Sequence, residues 1–137
     1  MGMYTELIFG ASIRSSIPDL DLAALKYLLG EGDEPSELPN HEFFMCDRWK
    51  YMTRCSSYYF AVRNTHRSIE LDKISDTWLC SSRSNLKNYD SEIEKFLSWI
   101  KPFIEQGSGE RDFYAIVCYE EASEPTIYYL DKEADDV

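Results

Sequence analysis

Hydrophobic and polar residues alternate at the start of the chain. Met3, Thr5, Leu7, Phe9, Ala11 and Ile13 fall on one side of an extended segment, and Tyr4, Glu6, Ile8 and Gly10 on the other. This period of two predicts a first strand over 4–13. The period then lengthens in SSIPDLDLAALKYLLGEG, where Ser16 offers an N-cap, Pro18 suits a first helical turn and Gly30 stands at the C′ position. A helix is predicted over 18–29. Pro35, Pro39 and acidic residues make 32–40 a surface loop.

The next stretch, HEFFMCDRWKYMTRCSSYYF (41–60), fits either a short helical turn or extended chain in its first half. From Lys50 to Arg63, aromatic and β-branched residues favour a strand. A strand period would set Lys50, Met52 and Arg54 on a wet face and Trp49, Tyr51 and Thr53 towards the core. RSIELDKI and TWLCSSR read as a strand pair joined through Ser75 and Asp76. The clearest helix follows: Ile93, Phe96, Leu97, Ile100 and Ile104 share one face, Asp90 can cap its start, and Pro102 should kink or shorten its end. After a turn at 106–110, strands are predicted in 111–121 and 125–131.

Two amphipathic helices against a mostly antiparallel sheet of five or six strands give a two-layer α+β domain, with a ferredoxin-like variant among the arrangements allowed. One domain over 1–131 is expected, followed by an acidic tail at 132–137. The length of 137 residues suits a single core, and 44% apolar with 15% aromatic residues supplies the burial that a disordered chain lacks. No apolar run approaches the roughly 20 residues of a membrane span, and MGMYTELIFG lacks a secretory pattern, so a cytoplasmic protein without membrane contact is expected. Gly2 is no myristoylation signal, because Glu6 stands where Ser or Thr is required.

Charge changes the picture further. The net charge is −11, unevenly spread. Residues 31–42 hold Glu31, Asp33, Glu34, Glu37 and Glu42 with no Lys or Arg, and residues 119–137 hold Glu120, Glu121, Glu124, Asp131 and three more carboxylates against Lys132. Between these, residues 43–89 carry eight basic against four acidic residues. Such acidity repels nucleic acid but attracts a partner with a basic groove.

Most candidate chemistry lacks its partners. Cys46, Cys55, Cys80 and Cys118 form no CxxC pair, and with His41 they match no compact zinc module, so buried free thiols are expected and no metal or cofactor. His66-Arg67-Ser68 is one H-x-[ST] element of a chemistry that needs two, and His41 is followed by Glu42 and Phe43. The glycines lie outside any phosphate-loop pattern. Pairs such as Glu70 with Asp72 or Glu120 with Glu124 read as surface acids. One constellation remains: Arg48, Lys50, Arg54, Arg63 and Arg67, interleaved with Tyr58 and other aromatics, can line a pocket for a phosphate or nucleotide.

The segments MGMYTELIFGASI, RCSSYYF and RSNLKNYDSEIEKFLSWI resemble a family of small, mostly uncharacterised acidic proteins of bacteriophages and prophages. The resemblance carries no catalytic motif. It implies a phage accessory protein in the host cytoplasm, and with the charge pattern it directs the expected function to a stoichiometric, non-enzymatic antagonist of a host nucleic-acid-directed defence system, anti-CRISPR-like. The acidic patches would stand in for phosphates on a host protein. The alternatives are a nucleotide-signal binder or enzyme using residues 48–67, and a phage structural or oligomerisation module.

Overall fold

The computed structural model describes residues 4–54, 66–105 and 113–130. The opening alternation forms strand β1 (Thr5–Arg14), with Leu7, Phe9 and Ile13 buried. Helix α1 (Asp19–Leu28) follows, but Ser16 does not cap it. Ile17 is drawn into the core and its N–H bonds to the Arg14 carbonyl, so Pro18 takes the N-cap position without a side-chain bond. At the other end, Gly30 adopts φ +92°, its N–H bonds to the Tyr27 carbonyl and the Glu31 N–H to the Lys26 carbonyl. This pair of bonds is a Schellman closure, and it needs the left-handed residue that glycine supplies without strain.

The region 41–54 forms no strand. It makes two 3₁₀ turns, Glu42–Met45 and Trp49–Tyr51, and the expected alternation fails: Trp49, Met52 and Thr53 are buried while Tyr51 is exposed. The physical reason is that Met52 and Thr53, like Phe43 and Phe44 before them, are adjacent and both buried, which an extended segment with one wet face cannot accomplish. The rest of the predicted strand, 55–63, lies outside the described residues.

Four further strands complete the sheet: β2 (His66–Asp72), β3 (Thr77–Leu86), β4 (Phe113–Tyr119) and β5 (Thr126–Tyr129), with helix α2 (Glu92–Ile100) between β3 and β4. The order is β2-β3-β1-β4-β5 and every pairing is antiparallel. The first four strands and two helices follow the split β-α-β pattern of ferredoxin-like domains, with β5 added at one edge. The chain is therefore a two-layer α+β fold. Both helices lie on one face, where Phe96 meets Phe9 edge-on at 5.3 Å and Lys26 sits 4.7 Å above the Trp78 ring. On the opposite face Glu6, fully buried, accepts from Arg83 Nε at 2.9 Å and Asn85 Nδ2 at 3.1 Å.

Helix α2 starts by an unexpected device. Asp90 does not cap it; Asn88, Asp90 and Ser91 all adopt positive φ, and the Asn88 side-chain oxygen accepts the Ile93 N–H at 2.7 Å. The helix stops at Ile100, and a 3₁₀ turn carries the chain through Pro102. In its first turn Glu92 is buried, and its Oε2 makes no hydrogen bond among the described residues. Burial raises the Glu92 pKa, against the opposing pull of Arg48 and of the Asn88 and Tyr89 backbone.

Two predictions follow from this packing. Phe96→Ala removes a fully buried ring that joins α2 to β1 and should cost about 3–5 kcal/mol in a denaturant titration. Glu92 holds its proton in the folded state at pH values where the unfolded chain has lost it, so stability falls as pH rises from its ordinary value of 4.5 through the raised folded value. Glu92→Gln should accordingly raise the melting temperature at pH 7 and change it less at pH 4, as followed by circular dichroism.

Candidate functional site

The Schellman closure of α1 aims the chain away from the helix into the acidic loop. Glu31, Asp33, Glu34, Glu37 and Glu42 are all exposed. Glu34 pairs with Lys50 at 2.7 Å, and this hydrogen bond raises the lysine's pKa. Both side chains are well exposed, so the pair is screened and contributes little stability, but it ties the loop to the second 3₁₀ turn. The loop returns through buried Pro39. His41 Nδ1 then accepts the Phe43 N–H at 3.0 Å, and Phe43 and Phe44 enter the core. On either side of these anchors, three apolar side chains stay out in solvent: Leu38 at 40%, Met45 at 81% and Tyr51 at 48% exposure.

The second acidic patch is the β4–β5 turn. Glu120 is fixed to the start of β1, donating its N–H to the Tyr4 carbonyl at 3.0 Å and accepting the Tyr4 N–H on Oε1 at 2.8 Å. Glu120, Glu121 and Glu124 are exposed, and Asp131 lies outside the described residues. No hydrogen bond or ion pair joins the two patches among the described residues. The first loop leaves α1 beside β2, where Arg67 reaches Leu28, whereas the turn closes the opposite edge of the sheet.

Of the basic residues, Arg54 and Arg67 converge on the C-terminal end of α1. Arg67 Nη1 donates to the Leu28 carbonyl at 3.0 Å, and Thr53 Oγ1 donates to the same oxygen. Arg54 lies over the Tyr27 ring at 4.6 Å. Burial, and then the proximity of Arg54, lowers the Arg67 pKa. Two cations at the carbonyl end of a helix interact favourably with the negative end of its dipole, which is a structural use of residues whose spacing suggests an anion site. Arg48 packs over Tyr51 at 5.4 Å, and Arg63 and Tyr58 lie outside the described residues.

The three described thiols are chemically quiet. Burial raises the pKa of Cys46 and Cys118 and pushes Cys80 up to about 12, so none is a thiolate near neutral pH. Cys55 lies outside the described residues. Among the described residues no group of three His, Cys, Asp or Glu side chains can hold a metal ion. His66 opens β2, and the Ser68 hydroxyl sits 3.2 Å from that of Ser81. Asp72 holds the β2–β3 turn, accepting from Ser75 Oγ at 2.7 Å, which lowers its pKa. An apolar groove of about 490 Å³ runs between the start of α1, residues 39–41 and the end of α2, lined by Leu20, His41, Trp99 and Phe103 among others. No helix among the described residues is long and apolar enough to cross a membrane.

Two features escape a reading of the sequence. Exposed Met45 follows two buried phenylalanines, and only the turn geometry separates them. The isoleucines Ile8, Ile116 and Ile127 stand side by side on β1, β4 and β5, a row that only strand register can reveal. Arg67→Ala should leave the Leu28 carbonyl with one donor fewer in a half-buried setting and cost about 1–3 kcal/mol in thermal or chemical unfolding. An anion-binding role would predict the reverse sign, since a ligand-dedicated cation pair is relieved by neutralising one member. Comparison with family models, with curated proteins and with solved structures yields no match.

Proposed function

We propose that the protein is a stoichiometric, non-enzymatic antagonist that occupies a basic nucleic-acid groove on a host protein through its exposed carboxylates. The observation that carries this reading is the build of residues 31–51. Glu34, Glu37 and Glu42 are interspersed with exposed Leu38 and Met45 along a segment anchored by buried Pro39, Phe43 and Phe44. An apolar centre with a charged rim is the anatomy of a protein interface. A segment already held in place loses less conformational freedom on binding. The raised thiol pKa values speak against cysteine nucleophilic catalysis at these positions. The resemblance to phage proteins supplies the setting, a host defence system directed at nucleic acid and of the CRISPR effector kind.

The test is affinity purification of the tagged protein from host cells, with mass spectrometry of what is retained. One dominant host protein is expected at a fixed ratio, released as salt rises and competed by that protein's own nucleic acid. Reversal of Glu34, Glu37, Glu120 and Glu124 to Lys should weaken binding by about tenfold or more at physiological salt. Undiminished capture by the reversed variant would rule out the carboxylates as the recognition element.

A further inference from the structure

The groove between the start of α1 and the end of α2 joins an apolar lining to carboxylates. Trp99 of α2 and Phe103 of the turn after it meet edge-on at 6.4 Å, and exposed Leu20 of α1 lines the same space of about 490 Å³. Pro18, Pro39 and Pro102 add rigid ring surfaces. A concavity of this size, mostly apolar with a few polar groups, has the anatomy of a binding site. Its central ring is fixed in advance: the Trp99 indole N–H donates to Asp21 Oδ1 at 2.7 Å, and the Trp99 ring stacks on Phe43. Asp19 is exposed and Asp21 half-buried, and neither has an ion pair among the described residues. His41 adds a donor. Its Nδ1 accepts the Phe43 N–H, so the ring's proton sits on Nε2, which no hydrogen bond engages among the described residues.

We propose that this groove seats an apolar side chain of the partner protein, aromatic or branched, that is flanked in the partner's chain by Lys or Arg. Burial against Trp99, Phe103, Leu20 and the proline rings supplies affinity, and a lining held in place before binding loses little freedom on contact. Charge chooses the occupant. Asp19 and Asp21 stand at the groove, and its wall at residues 39–41 runs between exposed Glu37 and Glu42 in the chain, so cations beside the apolar side chain meet complementary charge. The same carboxylates repel the phosphates of a nucleic acid. A second copy of this chain would bring its own net charge of −11 against the first. The inference rests on the protein-binding reading above and names the side chains that the partner presents next to the first acidic loop.

The experiment titrates the full-length ¹⁵N-labelled protein with a capped Gly-Arg-Trp-Arg-Gly peptide, and in parallel with Gly-Arg-Ser-Arg-Gly and Gly-Glu-Trp-Glu-Gly. The Arg-Trp-Arg peptide should shift the Trp99 indole resonance and the amides of Leu20, His41 and Phe103 along one saturable curve, about tenfold or more tighter than either control. Leu20→Lys, at an exposed position, should weaken it about tenfold by replacing apolar lining with a like charge. Equal affinity for Arg-Ser-Arg would reduce binding to charge, and equal affinity for Glu-Trp-Glu would reduce it to apolar burial; either overturns the proposal. So does a lack of saturable shifts at the groove, or their confinement to residues 31–38. Concentration-dependent groove shifts without peptide overturn it by assigning the groove to a second copy. The mapping on the unaltered protein does not depend on the variant's folding. The host protein captured above separates the two readings: capture kept at full strength by Leu20→Lys but lost on reversal of Glu34 and Glu37 refutes the groove proposal and leaves the acidic-surface reading standing. Saturable groove binding of Arg-Trp-Arg without capture of any host protein refutes the acidic-surface reading and leaves the groove's side-chain preference standing.

Discussion

Phe43 is the side chain on which the arrangement of the molecule turns. Its ring stacks on Trp99 at 5.8 Å and meets Phe96, Phe44 and Trp49 edge-on at 5.4, 4.9 and 6.4 Å. Aromatic pairs in these offsets add about 0.5–1.5 kcal/mol each beyond the area they bury. The connectivity matters more than the sum. Through Phe96 the cluster reaches Phe9 of β1; through Trp99, whose indole N–H donates to Asp21 at 2.7 Å, it reaches α1; through Trp49 it reaches Tyr27. One irregular segment thus ties both helices to the sheet, and the loop before it inherits a fixed exit point. Leu38, Met45 and the carboxylates around them keep their positions because Phe43 keeps its own.

The same cluster explains what could be read from the sequence and what could not. Period two identified β1, and period 3.6 with Gly30 and Pro102 bounded the helices, because those signals are local and each element buries one face. HEFFMCDRWKYMTR misleads because aromatic enrichment is shared by strands and by any segment that fills a core. Two adjacent phenylalanines, both inward, are the clue against a strand, and the alternation of basic and aromatic residues pulled the reading the other way. The start of α2 was equally opaque: Asn88, itself at positive φ like Asp90 and Ser91, accepts the N–H of Ile93 five residues on, whereas capping patterns assume shorter spacing. The Glu6–Arg83–Asn85 network and the isoleucine row depend on register between strands far apart in the chain, which composition does not encode.

The basic middle of the sequence looks different once folded. Lys50 neutralises Glu34, Arg83 is matched to buried Glu6, and Arg67 serves the carbonyl end of α1. Basic residues that appear in sequence as a positive segment are thus distributed among internal tasks on three elements. The carboxylates of residues 31–42 have less such employment: only Glu34 has an ion pair among the described residues. The field that a partner meets is therefore more negative than the local balance of charges along 43–89 suggests, which favours a basic partner over an anionic ligand.

Geometry then limits how such a partner can engage. From β2, beside which the first acidic loop leaves α1, two inter-strand gaps lead to β1, whose preceding residue Tyr4 holds Glu120, and four lead to β5, roughly 9 to 19 Å at the usual spacing. That exceeds a Debye length of about 8 Å at physiological salt, so the two acidic patches act on solvent-borne charge as separate units. A partner touching one gains little from the other unless its own basic surface is broad or grooved enough to contact both directly. The two patches also differ in kind. The first presents carboxylates along a segment with isolated exposed apolar side chains, while the second is a turn held to the start of β1 through Glu120. Contacts through the carboxylates of either patch weaken as salt screens them, whereas apolar contacts to Leu38 and Met45 persist, so the salt dependence of a complex reports how much of its affinity the charges carry.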